Sequence, residues 1–359
     1  MMALIPVTIL SGFLGSGKTT LLKYILSENH GKKIAVIENE FGEENIDNDI
    51  LVQDSNEQIV QMSNGCVCCT IRGDLVEALN NLWEQRHHKK IQFDRVVIET
   101  TGVANPGPVA QTFFMDEEVA SHYILDAVVT LVDAKHGNQQ LDQHEEAQQQ
   151  VGFADRIFIT KTDLVGEQDV AALKHRLMHM NPRAPIMGIS QGVVPLEKVL
   201  DLRGFNLNDK LEIDPHFLEQ EDHDHENCGH DHHEHGPDCG HDHHHHDHAA
   251  PQVVQFARKN HTDKIQSFVF RSDRPFDSKK LEDFLGGILS VFGAKLLRYK
   301  GVLYIKGGAR KVIIQGVHEM MGSDLGAPWG KDKKETRMVF IGTDLPKDVL
   351  LGGLETCLV

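Results

Sequence analysis

The chain has 359 residues with 36 Lys and Arg against 53 Asp and Glu, giving a net charge of −17, and is 40% hydrophobic and 25% charged. This is the composition of a soluble globular protein and excludes global disorder, while the negative charge argues against nucleic acid or an anionic membrane as the main partner, since both are held by phosphate neutralisation. The longest apolar runs, near residues 3–10 and 127–132, fall short of the ~20 residues that span a bilayer, and the first has no basic flank and leads into a glycine-rich loop, so the protein reads as cytosolic.

At roughly 100–200 residues per domain the length suits two or three domains. Short β-branched runs at residues 7–10, 34–37, 95–98, 127–132, 156–159 and 186–189 read as buried strands, and amphipathic stretches at 19–27, 75–84, 139–150 and 170–180 read as helices. Near-continuous apolar strands alternating with helices predict an α/β fold over residues 1–210, a parallel sheet flanked by helices. Residues 211–262 form an acidic linker with ten acids between 219 and 248 and no Lys or Arg between 211 and 257. It has no apolar periodicity with which to bury a core and is expected to be disordered without metal. The pattern resumes over residues 263–359, with strands expected at 267–270, 295–297, 302–305, 312–315 and 338–341 and helices at 279–291 and 347–354. That is a small α+β C-terminal domain.

The sequence GFLGSGKT at residues 12–19 fits G-x-x-x-x-G-K-[ST] between a predicted strand and a predicted helix, the context a phosphate-binding loop requires. Glycines let the backbone N–H groups curl around phosphate oxygens, and the helix N-terminus adds its dipole and open donors. Gly12, Gly15, Ser16, Gly17, Lys18, Thr19 and Thr20 are the expected phosphate-binding set, with Lys18 reaching the β- and γ-phosphates and Thr19 binding Mg²⁺. Another strand ends in ETTG, where Glu99 can hold Mg²⁺ through water and Gly102 can follow the γ-phosphate. A further strand ends in TKTD. A carboxylate at Asp163 accepts two hydrogen bonds from guanine and repels adenine, and the Lys161 stem can pack on the base, so the nucleotide reads as GTP.

Cys66, Cys68 and Cys69 form a CVCC cluster after an Asn-Gly turn. Three thiolates leave one tetrahedral position open for water, a carboxylate or an acceptor protein, which suits an ion that is to be passed on. Thiolates favour Zn²⁺ over Mg²⁺ or Ca²⁺. The acidic segment after the second strand, with Glu38 and Glu43, either supplies the fourth ligand or covers a solvated loop. Residues 222–248 hold twelve of the 23 histidines, His230, His232, His241 and His243 among them, interleaved with eight acids, and read as a reservoir for several ions. The bland alternative is a solvated spacer.

The order GFLGSGKT, ENEFGE, GCVCC, ETTG and TKTD, followed by LRYKG, APWG and FIG near the C-terminus, resembles the CobW-type metallochaperone GTPases over the whole chain. The resemblance implies a P-loop GTPase that binds a transition metal at the CxCC segment and hands it to an apo-metalloprotein of unknown identity. It leaves the ion open among zinc, cobalt and nickel, and the oligomeric state open as well. Carried over by position, Gly12, Gly15, Gly17, Lys18 and Thr19 bind phosphate and Mg²⁺, Glu99 takes the Walker B place, Lys161 and Asp163 the guanine, and Cys66, Cys68 and Cys69 the metal. Many relatives have Asn where Thr160 stands. GTP and metal binding are expected to be coupled through the loops after Glu38 and Gly102, and hydrolysis to be slow, because the sequence directly after Gly102 offers no glutamine of the kind that orients water in signalling GTPases. The rival expectations are a metal-storage protein carrying a GTPase domain and a cobalt or nickel insertase.

Overall fold

The computed structural model describes residues 4–28, 31–38, 71–205, 253–254 and 263–359. In the first part, β1 (Ile5–Gly12), β2 (Ile34–Glu38), β3 (Arg95–Glu99), β4 (Tyr123–Asp133), β5 (Arg156–Thr160) and β6 (Ile186–Gly188) form one sheet in the order β2-β3-β1-β4-β5-β6. Every neighbouring pair is parallel. The strands are apolar on both faces because helices cover both, so Val7 and Ile9 join one core cluster and Leu10 joins the other. The connecting helices are α1 (Lys18–Ser27), α2 (Ile71–His87), α3 (Pro106–Met115), α4 (Glu117–His122), α5 (Gly137–Gln143), α6 (Glu145–Phe153) and α7 (Glu167–Met180).

Two local departures from the sequence pattern have clear causes. The helix expected over residues 139–150 is two helices, broken at His144, whose backbone is extended (φ −130, ψ 119) and whose ring stacks on Phe13 with centroids 4.5 Å apart. Helices α3 and α4 were not anticipated. Their start signals are plain in the structure: the Asn105 side chain accepts from Gly107 N with Pro106 in the first turn, and Asp116 accepts from Val119 N at 3.0 Å.

The second sheet runs β11-β10-β9-β12-β8-β7 with antiparallel neighbours. Its strands are β7 (Val253–Val254), β8 (Ile265–Ser272), β9 (Leu296–Leu303), β10 (Arg310–Val317), β11 (Met320–Pro328) and β12 (Thr336–Thr343). Helices α8 (Ser278–Phe292) and α9 (Lys347–Thr356) cover one face. Leu281, Leu285, Ile288 and Leu289 of α8 recur at helical spacing and pack with Leu350 and Leu354 of α9 against Phe268, Phe270 and Phe340.

The two short strands expected at 295–297 and 302–305 are one strand, β9. Arg298 and Lys300 interrupt its apolar pattern, yet both are buried. Arg298 is accommodated because it donates to Asp155 at 3.3 Å, to Gly204 O at 3.1 Å and to Gly316 O at 3.4 Å, and lies 3.5 Å over the Phe205 ring. Burial draws its guanidinium down to about 9 while Asp155 pulls back, so it stays charged at neutral pH.

The other face of the C-terminal sheet rests on α6 and α7. One continuous apolar cluster runs from Val151 and Phe153 to Ile265, Leu297, Val339 and Ile341. Helix α6 approaches closely because Gly152 lacks a side chain: a Cβ there would stand 2.9 Å from Leu297. Polar contacts flank this seam. Gln148 Oε1 accepts from Lys264 N at 2.7 Å and Ile265 N at 3.2 Å, and Arg176 pairs with Asp263 and Asp142.

Candidate functional site

The loop between β1 and α1 closes over the C-terminal edge of the sheet, where open α/β sheets bind their ligands. Gly12, Gly15 and Gly17 have φ of 141, 71 and 95, conformations that side-chain-bearing residues resist. At Gly12 the approach is also too close for anything larger, since a Cβ would stand 2.5 Å from Leu131 O and 2.6 Å from Ser16 Oγ. Among the described residues the buried Ser16 hydroxyl has no hydrogen-bond partner, an orphaned donor inside a loop of turned backbone amides. Lys18 lies over this loop, its Nζ donating to Gly12 O at 2.9 Å and Phe13 O at 3.3 Å.

At the mouth of α1, Thr19 Oγ1 donates to Glu99 Oε1 at 2.9 Å, joining the helix start to the end of β3. A hydroxyl and a carboxylate side by side are hard oxygen donors of the kind Mg²⁺ takes, and the glycine loop with its orphaned hydroxyl fits a polyphosphate. Glu38 stands directly beside Glu99 in the β2–β3 register. Gly102 lies on the phosphate loop: a Cβ there would stand 2.6 Å from Leu14 N and 2.7 Å from its Cα.

On the opposite flank the TKTD segment divides its work. Thr160 is buried and its hydroxyl donates to Ser16 O at 2.8 Å, so it braces the phosphate loop from below. Lys161 has a left-handed backbone (φ 56), and its Nζ donates to Gly15 O at 2.8 Å and to Asp133 Oδ2 at 2.7 Å. Burial raises the Asp133 carboxyl, but the bonds from Lys161 and from the backbone of His136 and Lys135 together outweigh it and hold the group below the usual carboxylate range. Asp163 is exposed and accepts from Ser190 Oγ at 2.7 Å.

The structure thus brings Gly12, Gly15, Ser16, Gly17, Lys18, Thr19, Glu99, Gly102 and Lys161 together at one sheet edge, with Thr20 on α1 and Asp163 just past β5. Glu43, Cys66, Cys68, Cys69, His230, His232, His241 and His243 lie outside the described residues. Among the described residues there is no group of three or more His, Cys, Asp or Glu that could hold a metal, and no helix is long and apolar enough to cross a membrane. Sequence reasoning missed Asp133, Ser190 and Gln150. Asp133 carried the same signal as Glu99, an acid ending an apolar strand; the other two carried none.

Comparison with known proteins agrees with this geometry. Residues 6–188 match the CobW/HypB/UreG nucleotide-binding domain, and residues 265–358 match the cobalamin synthesis protein cobW C-terminal domain. The chain is 40% identical over 345 residues to the zinc chaperone YjiA of Escherichia coli (strain K12), covering 96% of each protein. It is 30% identical over 391 residues to the zinc chaperone CobW of Pseudomonas aeruginosa, covering 99% of this chain and 92% of that one. The crystal structure of the Zn(II)-bound YjiA GTPase from E. coli matches it with a TM-score of 0.74 and 36% identity across the full length of both chains. A phosphate loop on a parallel sheet, joined to this C-terminal sheet and aligned end to end with such relatives, places the chain in the CobW/HypB/UreG family.

Proposed function

We propose that this protein is a GTP-hydrolysing metallochaperone that binds Zn²⁺ at Cys66, Cys68 and Cys69 and delivers it to an apo-metalloprotein in the cytoplasm. The observation that carries the nucleotide half is the convergence of Lys18, Thr19, Glu99 and Lys161 on one sheet edge, with Thr19 already bonded to Glu99. The metal half is supported by likeness, over nearly the whole length, to proteins named zinc chaperones.

In this reading the glycine loop and Lys18 hold the phosphates, and Mg²⁺, when bound by Thr19 and Glu99, offsets the charge of the phosphates. Lys161 flanks the base with its amine fixed by Asp133, and Asp163, steadied by Ser190, accepts from the guanine edge. The metal cargo sits on the three thiolates with a carboxylate from Glu38 or Glu43 within the same acidic segment, and His230, His232, His241 and His243 belong to a reserve of further ligands. The domain division of this reading is 1–210 for the GTPase domain, 211–262 for the metal-binding linker and 263–359 for the C-terminal domain.

The test is GTP turnover by the full chain. Lys18→Ala is expected to lower kcat/KM by at least about 10²-fold, the scale of losing one preorganised charge in a closed site. Turnover unchanged in that variant contradicts the assignment.

A further inference from the structure

We propose that Gln150 is a positioning residue for the terminal phosphate of GTP: its carboxamide fixes the loop of residues 102–104 that follows that phosphate. The inference rests on the nucleotide reading above and deepens it.

Gln150 lies on α6 and is 1% exposed. Its Nε2 donates to Gly102 O at 3.1 Å and to Ala104 O at 3.0 Å, so both amide hydrogens are spent on one short loop. The helix carrying it is fixed at the same turn, because Thr130 Oγ1 on β4 donates to the Gln150 carbonyl at 2.9 Å. The donor therefore reaches the loop from a rigid frame, the sheet itself.

The loop also presses against the phosphate loop. Gly102 packs onto the backbone of Leu14 with no space for a Cβ. Residues 102–104 thus touch both Leu14 of the phosphate loop and Gln150 of α6. Within the loop's own turn, Ala104 N donates to Thr101 O at 3.1 Å. In a trans peptide the C=O and the following N–H point in opposite directions. Drawing the Gly102 carbonyl onto Gln150 turns the next N–H away from α6, at Val103, a residue that is 47% exposed. A loop that must distinguish a third phosphate needs a fixed backbone rather than a long side chain, and Gln150 supplies the fixing.

The test compares binding of a fluorescent GDP and of a non-hydrolysable GTP analogue by the full-length protein, together with kcat and KM for GTP. Gln150→Met keeps the shape and removes the donor. The expected result is GDP affinity within about twofold of the native protein, analogue affinity lower by about tenfold, and a loss in kcat that exceeds any rise in KM, in line with the loss of buried hydrogen bonds. Val151→Ala weakens the same helix from its apolar side, and should leave both affinities unchanged, which separates positioning from general destabilisation. Should the Met variant fail to fold, Gln150→Leu, which likewise presents no donor to those carbonyls, carries the same expectation. A Gln150 variant with the native ratio of analogue to GDP affinity overturns the inference. A native protein that binds neither nucleotide overturns the reading beneath it instead.

Discussion

Substitution of Gly102 by Ala tests, at its contact with Leu14, the loop whose carbonyls Gln150 holds. The added Cβ would meet Leu14 Cδ2 at 2.6 Å, Leu14 N at 2.6 Å and Leu14 Cα at 2.7 Å. Two of these three atoms are backbone and cannot swing aside. Ordinary contact between such atoms begins near 3.5 Å, so the loop must retreat by about 0.9 Å. Gly102 is not among the residues with positive φ, so alanine adds no torsional strain and the effect is steric displacement alone. A misplacement of about 1 Å at a reacting centre costs on the order of 10²-fold. Steady-state GTP hydrolysis by Gly102→Ala should therefore show kcat/KM reduced by about 10²-fold, with GDP affinity within about threefold because, in the proposed reading, the loop follows the terminal phosphate alone. A folded Gly102→Ala protein with native kcat/KM would refute the placement of this loop against the terminal phosphate.

Three further outcomes follow from the structure. Asp163→Asn should cost GTP at least about 10²-fold in kcat/KM and transfer preference to xanthosine triphosphate, whose base edge offers the amide an acceptor; equal use of both nucleotides by the native protein would contradict the base assignment. Arg298→Met removes three hydrogen bonds and a ring contact at the seam between the sheets, and because Asp155 keeps Arg183, the unfolding free energy should fall by about 2–4 kcal/mol, not more; an unchanged denaturation midpoint would contradict the seam's role. His318 packs edge-on to Phe153, and burial pushes its imidazole below the ordinary 6.5, with Glu319 and the backbone at Gly293 and Ala294 offsetting part of the shift. The unfolded chain binds a proton there below pH 6.5 that the folded one resists, so stability is retained above 6.5 and declines as pH falls from 6.5 toward the folded value. His318→Asn, which tolerates the left-handed backbone at φ 52, should flatten that decline in melting temperature between pH 7 and 5; identical slopes would contradict it.

The parallel sheet was legible because strands buried on both faces must be nearly continuous apolar runs, and 34–37, 95–98 and 156–159 are each extended by no more than one residue in the structure. Element breaks set by distant contacts were not. His144 is pulled out of helical geometry beside Phe13, over a hundred residues away, and Arg298 enters a strand only because Asp155 and Gly204 meet it there. β11, with the sequence MMGSDLGAP, is an exposed edge strand whose glycines, Ser, Asp and Pro carry no alternation to detect. The phosphate loop was legible for the opposite reason: its chemistry is carried by consecutive residues. Gln150 and Ser190 act through contacts made only when the chain folds, 48 residues from Gly102 and 27 from Asp163.

Coupling of the nucleotide and metal sites means that the bound nucleotide controls the metal affinity. Its most direct measurement is Zn²⁺ affinity, by competition with a chromogenic chelator, on the chain lacking residues 219–248, once with GDP and Mg²⁺ and once with a non-hydrolysable GTP analogue and Mg²⁺. Coupling between two sites is typically ~1–3 kcal/mol, so the expected difference is about fivefold or more, abolished by Cys68→Ser. Equal affinities in the two nucleotide states would contradict it.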